Sequence, residues 1–212
     1  GCGEFFALVG LNGAGKTTCI KALLDFCQLD RGAIRLFGVP HTETRARAPI
    51  AYLPERFLPP HYLTGADFLR YMARLHGEPY REASVREILA VVDLQPNALA
   101  QSVREYSKGM GQKLGLAACF LSGKPLFVFD EPFSGLDPKA RLLVKRHLLR
   151  LQERGQTLFF STHLLSDVDD LCHRMGVLHD GKVRFAGAPA QCRAEYGAAG
   201  LEQAFLACIS NP

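Results

Sequence analysis

The stretch GLNGAGKTT, residues 10–18, holds the residue types and spacing that grip a phosphate. It fits G-x-x-x-x-G-K-[ST] and stands between an apolar run, residues 5–9, and a run of helical spacing, residues 16–26. Glycines let backbone N–H groups wrap phosphate oxygens closely, and a helix N-terminus favours negative charge there. The expected contacts come from Asn12, Gly13, Ala14, Gly15, Lys16, Thr17 and Thr18, with Lys16 reaching the β and γ oxygens and Thr17 ligating Mg²⁺. A glycine-rich turn that merely starts a helix is the bland reading. At average glycine usage a chance match in a chain of this length is on the order of one in a hundred.

A second stretch, LFVFDEP at residues 126–132, ends an apolar run with Asp130 and Glu131. Charge at the C-terminal end of a parallel strand lies where α/β sheets bind ligands, the edge at which the glycine loop also opens. Asp130 is a candidate Mg²⁺ ligand through water, and Glu131 a candidate base for an attacking water. Taken alone, an acidic pair at a strand end is more often a cap or a solvated turn. The phosphate loop in the same chain reverses that weighting. FFSTH places His163 just past another strand end, where it could touch the γ-phosphate or the water. YSKGMGQK, residues 106–113, sets Ser107 and Gly109 at the threshold of an apolar helix, a second corner suited to an anion or simply a helix cap.

These loops need a frame, and the apolar pattern supplies one. Residues 5–9, 126–130 and 157–161 read as strands apolar throughout, as in a parallel sheet covered on both faces. Residues 64–75, 84–92 and 107–121 follow the helical period, two of them opening with Thr or Ser as N-caps. A helical insert over about residues 61–122 therefore divides an α/β core. Asp180-Gly181 marks a two-residue hairpin between residues 175–179 and 182–186. A tail from residue 188 reads as two short helices, the second carrying Leu201, Phe205 and Ile209 on one face.

Composition narrows the classes. With 48% apolar and 22% charged residues the chain reads as one globular domain. The net charge of +4 is spread out, and its densest basic stretch, residues 141–154, alternates with Leu like a solvated helix face, so no nucleic-acid footprint is evident. Seven cysteines, Cys2 among them, include no CxxC pair, which suits a reducing cytosol. The longest apolar stretch, residues 114–129, is broken by Gly123-Lys124-Pro125 and is too short to span a bilayer, and no signal peptide is expected.

In this order the segments resemble an ATP-binding-cassette (ABC) ATPase, and the resemblance covers nearly all of the chain. GLNGAGKTT is similar to the Walker A motif, LFVFDEP to Walker B with its following Glu, SGLDP (residues 134–138) to the D-loop, STH to the switch-histidine segment, and Tyr106 to Met110 to the signature usually written LSGGQ. The resemblance implies a P-loop NTPase (RecA-like) parallel-sheet core with an inserted helical subdomain, ATP and Mg²⁺ as cofactors, and two cassettes paired head to tail. In that pair Ser107, Lys108, Gly109 and Met110 of one copy close over the γ-phosphate held by the other. It further implies Glu131 as the activator of water, His163 as the group that orients it, Asp137 as a link between the two sites, and Thr17, Asp130 and Glu55 around the metal.

The sequence departs from the family pattern in three places. Lys108 and Met110 replace the signature Gly and Gln, Glu55 in YLPE stands where a Q-loop Gln is usual, and the chain is expected to lack the family's first strands and its adenine-stacking aromatic. The resemblance implies an exporter-type, cytoplasmic ATPase subunit, peripheral on the membrane, that powers a separate integral-membrane permease. Nucleic acid is not expected as a partner. The rival readings are a soluble ABC ATPase acting on nucleic acid or the ribosome, and a weakly hydrolytic ATP-gated regulatory clamp.

Overall fold

The computed structural model describes residues 3–210, so Cys2 lies outside the described residues. β1 (Phe5–Val9) runs through the glycine loop into α1 (Lys16–Leu23). A small antiparallel ribbon of β2 (Arg35–Leu36) and β3 (Val39–Pro40), the single turn α2 (Thr44–Arg47) and β4 (Ile50–Leu53) follow. Three helices, α3 (Gly65–His76), α4 (Glu82–Val92) and α5 (Lys108–Leu121), then separate β4 from β5 (Leu126–Asp130). Beyond β5 come α6 (Pro138–Glu153), β6 (Thr157–Thr162), α7 (Leu165–Leu171), the hairpin β7 (Arg174–His179) and β8 (Lys182–Gly187), α8 (Pro189–Glu195) and α9 (Leu201–Ser210).

The main sheet has the order β4-β5-β6-β1-β7-β8, parallel throughout except for β8. All five residues of β5 are buried, the consequence of helices on both faces. Because the strands are parallel, their C-terminal ends share one edge. That edge receives the glycine loop after β1, Glu55 after β4, Glu131 after β5 and His163 after β6. β4 has no counterpart in the sequence reading: IAYL is too short to show a period, and three of its four residues are buried. The hairpin turn falls at Asp180 (φ 48°) and Gly181 (φ 70°), the left-handed pair that a two-residue connection requires.

Local chemistry explains several helix ends. Thr64 Oγ1 accepts the Asp67 N–H and starts α3, and Gly77 at φ 76° ends it. The helix expected over residues 16–26 stops earlier, at Leu23, where Asp25 turns left-handed at φ 64°. The one expected from Ser84 begins two residues sooner, without a side-chain cap. α5 is buried without a break from Gly111 to Cys119, because a Cβ on Gly115 would stand 2.6 Å from Leu53 and 2.9 Å from Phe57. The helices between β4 and β5 thus share one apolar core with the sheet, Phe68, Leu89 and Leu116 joining Phe5, Leu53 and Phe129. In α9, Leu201 and Phe205 are buried on that core and Ile209 packs against it.

Burial accounts for the thiols as well. Cys119 is pushed up to about 12 and Cys192 to about 11, each mainly by desolvation, so both act as small apolar side chains. No helix among the described residues is long and apolar enough to cross a membrane.

His147 of α6 packs edge-on to Phe120 with ring centroids 4.7 Å apart. Burial first, then the Arg150 and Arg154 charges, hold its pKa down to about 4. The unfolded chain therefore binds a proton near pH 6.5 that the folded chain refuses, and stability falls as pH drops from about 6.5 toward 4. His147→Phe is expected to flatten that part of the profile, as measured by urea midpoints at pH 7 and pH 4.5. An unchanged slope between the two would show that His147 carries no part of it.

Candidate functional site

A cleft of about 370 Å³ opens at the C-terminal edge of the sheet, lined by residues 12, 13 and 15–18 of the glycine loop together with Glu55, Glu131, Ser134 and His163. The loop is shaped by Gly13 (φ 85°) and Gly15 (φ 105°), conformations that a side chain would strain. Gly15 is also the N-cap of α1 and no side chain caps that helix, so its first-turn N–H groups meet no competing side-chain acceptor. This is the geometry of an anion cradle.

Lys16 is nearly buried, and its ammonium is held within the loop. Nζ donates to the Gly10 carbonyl at 2.8 Å and the Leu11 carbonyl at 3.3 Å, and stands 3.4 Å from Glu131 Oε1. The other carboxylate oxygen of Glu131 lies 2.9 Å from His163 Nδ1. Glu131 is therefore clamped between a cation from one strand end and an imidazole from another. Its own backbone is left-handed at φ 49°, which costs an ordinary residue roughly 1–2 kcal/mol. The Ser161 hydroxyl supports the turn, accepting the Glu131 N–H at 3.0 Å and donating to Asp130 Oδ1 at 2.5 Å.

Asp130 lies behind Glu131, 1% exposed, and its Oδ2 has no hydrogen-bond partner among the described residues. A buried carboxylate oxygen without a donor fits a hard cation. Among the described residues no three His, Cys, Asp or Glu side chains cluster to hold a metal. Mg²⁺ at Asp130 and Thr17 would thus draw its remaining ligands from phosphate oxygens and water, as that ion commonly does.

The signature residues lie elsewhere. Ser107 and Lys108 line a separate groove of about 600 Å³, shared with Glu55, Phe57 and Leu58. Ser107 caps α5 by accepting the Met110 N–H at 3.2 Å. A Cβ on Gly109 would come 2.7 Å from the Gly135 carbonyl, and Lys108 Nζ donates to Ser134 Oγ at 3.2 Å. Farther along the same helix, Gln112 donates to the Pro132 carbonyl at 3.0 Å, and Lys113 binds Asp137 Oδ2 at 2.8 Å. Three side-chain hydrogen bonds therefore tie the start of α5 to the loop over residues 132–137. Asp137 also accepts the Ala140 N–H at 2.9 Å; that bond first, and then Lys113, holds its carboxyl down to about 2.

The sequence reading gave no role to the supports. Ser161 was only part of a three-residue motif, although it ties Asp130 to Glu131. Asp167 is fully buried, bonded to Arg141 at 2.5 Å and paired with Lys145 at 2.7 Å. It also takes a long bond from Thr162 Oγ1, which accepts the Leu164 N–H and so fixes the turn bearing His163. Asp167 lies 26 residues from Arg141, so no local pattern announces the pair.

Comparisons with known proteins bear on family and fold. The sequence profile described as ABC transporter matches residues 1–134. An uncharacterised ABC transporter ATP-binding protein of Synechocystis sp. is 38% identical over 193 residues, 89% of this chain and 54% of the relative. The Nod factor export ATP-binding protein I of Burkholderia thailandensis is 38% identical over 192 residues, 88% of this chain and 62% of the relative. The chain thus spans little more than half the length of these relatives. A solved structure described as the ATP binding subunit of an ABC transporter superposes with a TM-score of 0.88 at 32% identity, covering 98% of this chain and 88% of that one.

Proposed function

The chain belongs to the ABC transporter family, and from that premise we propose that it binds and hydrolyses ATP to drive a separate membrane-embedded transport subunit. One observation carries the reading: Lys16 at the start of α1, Glu131 after β5 and His163 after β6 meet within hydrogen-bond or ion-pair distance beside a glycine cradle.

In this mechanism the cradle N–H groups and Lys16 take the β- and γ-phosphates, the ammonium exchanging its loop carbonyls for phosphate oxygens. Glu131 accepts a proton from the water whose oxygen attacks the γ-phosphorus, and the bond from that phosphorus to the β-bridging oxygen breaks as the new one forms. His163 holds Glu131 Oε2 and so aims the other oxygen. Thr17 and Asp130 would hold Mg²⁺, with Glu55 at the mouth of the cleft. When bound, the ion neutralises charge on the phosphate oxygens.

Ser107 and Lys108 line a groove other than this chain's own phosphate cleft, which supports the use of the segment Ser107, Lys108, Gly109 and Met110 on a second copy packed head to tail. Both oxygens of Asp137 are engaged within the chain, so we assign it to holding the loop at that seam in shape. The groove beside Ser107 is lined by Phe57, Pro59 and Leu58, the last 77% exposed, an apolar edge suited to a helix end of the membrane subunit. This assembly puts the chain on the cytoplasmic face of the membrane, and the similarity to an export ATP-binding protein favours export.

Ser107→Arg tests the pairing. It is expected to lower magnesium-dependent phosphate release at least about tenfold, by removing a phosphate-side donor and crowding the seam. ATP binding by single copies should stay within about twofold of wild type by isothermal titration. Unimpaired hydrolysis by this variant would detach the signature corner from the reaction.

A further inference from the structure

The basic stretch of α6, which its sequence presents as one solvated face, divides into two faces of different character. On one, Arg141 and Lys145 are neutralised by Asp167, and Lys145 also by Asp170 at 2.6 Å. On the other, Arg146, Arg150 and Arg154 recur every four residues, are exposed, and form no ion pair among the described residues. At 1.5 Å of rise per residue this stripe is ~12 Å long.

The three guanidiniums border a groove of about 740 Å³ between α4, the end of α5 and α6. Its walls include half-buried apolar side chains, Ile88 and Val91 from α4, Phe120 from α5 and Leu143 from α6. Glu87 is the one carboxylate lining it, and His147, held uncharged at neutral pH by its surroundings, adds no positive charge. Gly123 and Arg154 precede the starts of β5 and β6, so this end of the groove lies across the sheet from the phosphate cleft.

We propose that the groove docks an acidic amphipathic helix of a partner protein. Carboxylates spaced by four along such a helix match the arginine stripe, and its apolar face meets Ile88, Val91 and Phe120. The apolar side chains are recessed between helices rather than projecting, which favours a helix laid into the groove over a lipid surface. The proposal goes beyond ATP hydrolysis and stands independently of it.

The probe is a fluorescein-labelled designed helix of about 18 residues, with Glu at every fourth position on one edge and Leu on the adjoining stripe. A control peptide carries Lys in place of Glu. Fluorescence anisotropy without nucleotide should show saturable binding of the acidic peptide to the wild-type protein. With Arg146→Glu/Arg150→Glu the acidic peptide should weaken at least about tenfold, while the lysine peptide gains. ATP affinity should be unchanged, since both arginines are exposed and remote from the phosphate cleft, and a single cooperative unfolding transition should remain. Equal binding to wild type and double variant, or no saturable binding, overturns the proposal. So does capture of the protein by phosphatidylglycerol vesicles in preference to the acidic peptide.

Discussion

Glu131→Gln is expected to slow steady-state phosphate release by at least about a hundredfold while ATP binding survives. The substitution keeps the size of the side chain and leaves an amide able to bond His163, but an amide does not accept the proton of the attacking water. It also removes the negative charge 3.4 Å from Lys16 Nζ, which frees the ammonium for phosphate. Affinity for ATP should therefore hold or tighten. Phosphate release and isothermal titration on one preparation separate the two effects. Hydrolysis close to wild type would take Glu131 out of the role of base.

Lys16→Ala should act on the other half of that balance. A charged hydrogen bond contributes ~1.5–3 kcal/mol, so deleting the ammonium should weaken ATP binding by about ten- to a hundredfold or more. The unliganded protein changes too, because Glu131 Oε1 is buried and Lys16 is the cation beside it. Hydrolysis should fall with affinity. A dissociation constant equal to wild type would overturn the assignment of residues 10–18 as the phosphate loop.

The residues proposed to touch phosphate or water were legible in the sequence because that chemistry fixes residue type and spacing together. The glycine loop, the Asp130–Glu131 pair and His163 each sit at the end of a strand, and β1, β5 and β6 announce themselves by apolar, Phe-rich stretches over residues 5–9, 126–129 and 158–160. β4 was silent. Four residues carry too little pattern, yet this strand is what brings Glu55 to the shared edge. The supports were silent for another reason. Ser161 beneath Glu131, and Asp167 between Arg141 and Lys145, act across 22 to 30 residues of chain, and only the folded register brings such groups together. Helix boundaries shifted where a single backbone angle decided them, as at Asp25.

The union of α5 with the loop over residues 132–137 bears on how two copies would take turns. Ser107's corner and the loop over residues 132–137 are joined by bonds from Lys108, Gln112 and Lys113 and by the close packing of Gly109 on Gly135, so a shift of one is expected to carry the other. In a head-to-tail pair each such block abuts the opposite active centre and, through Pro132 and Ser134, its own Glu131 turn. Sealing one seat should thereby tilt the other toward sealing, and occupancy at the two would rise in concert, with a Hill coefficient for ATP above one.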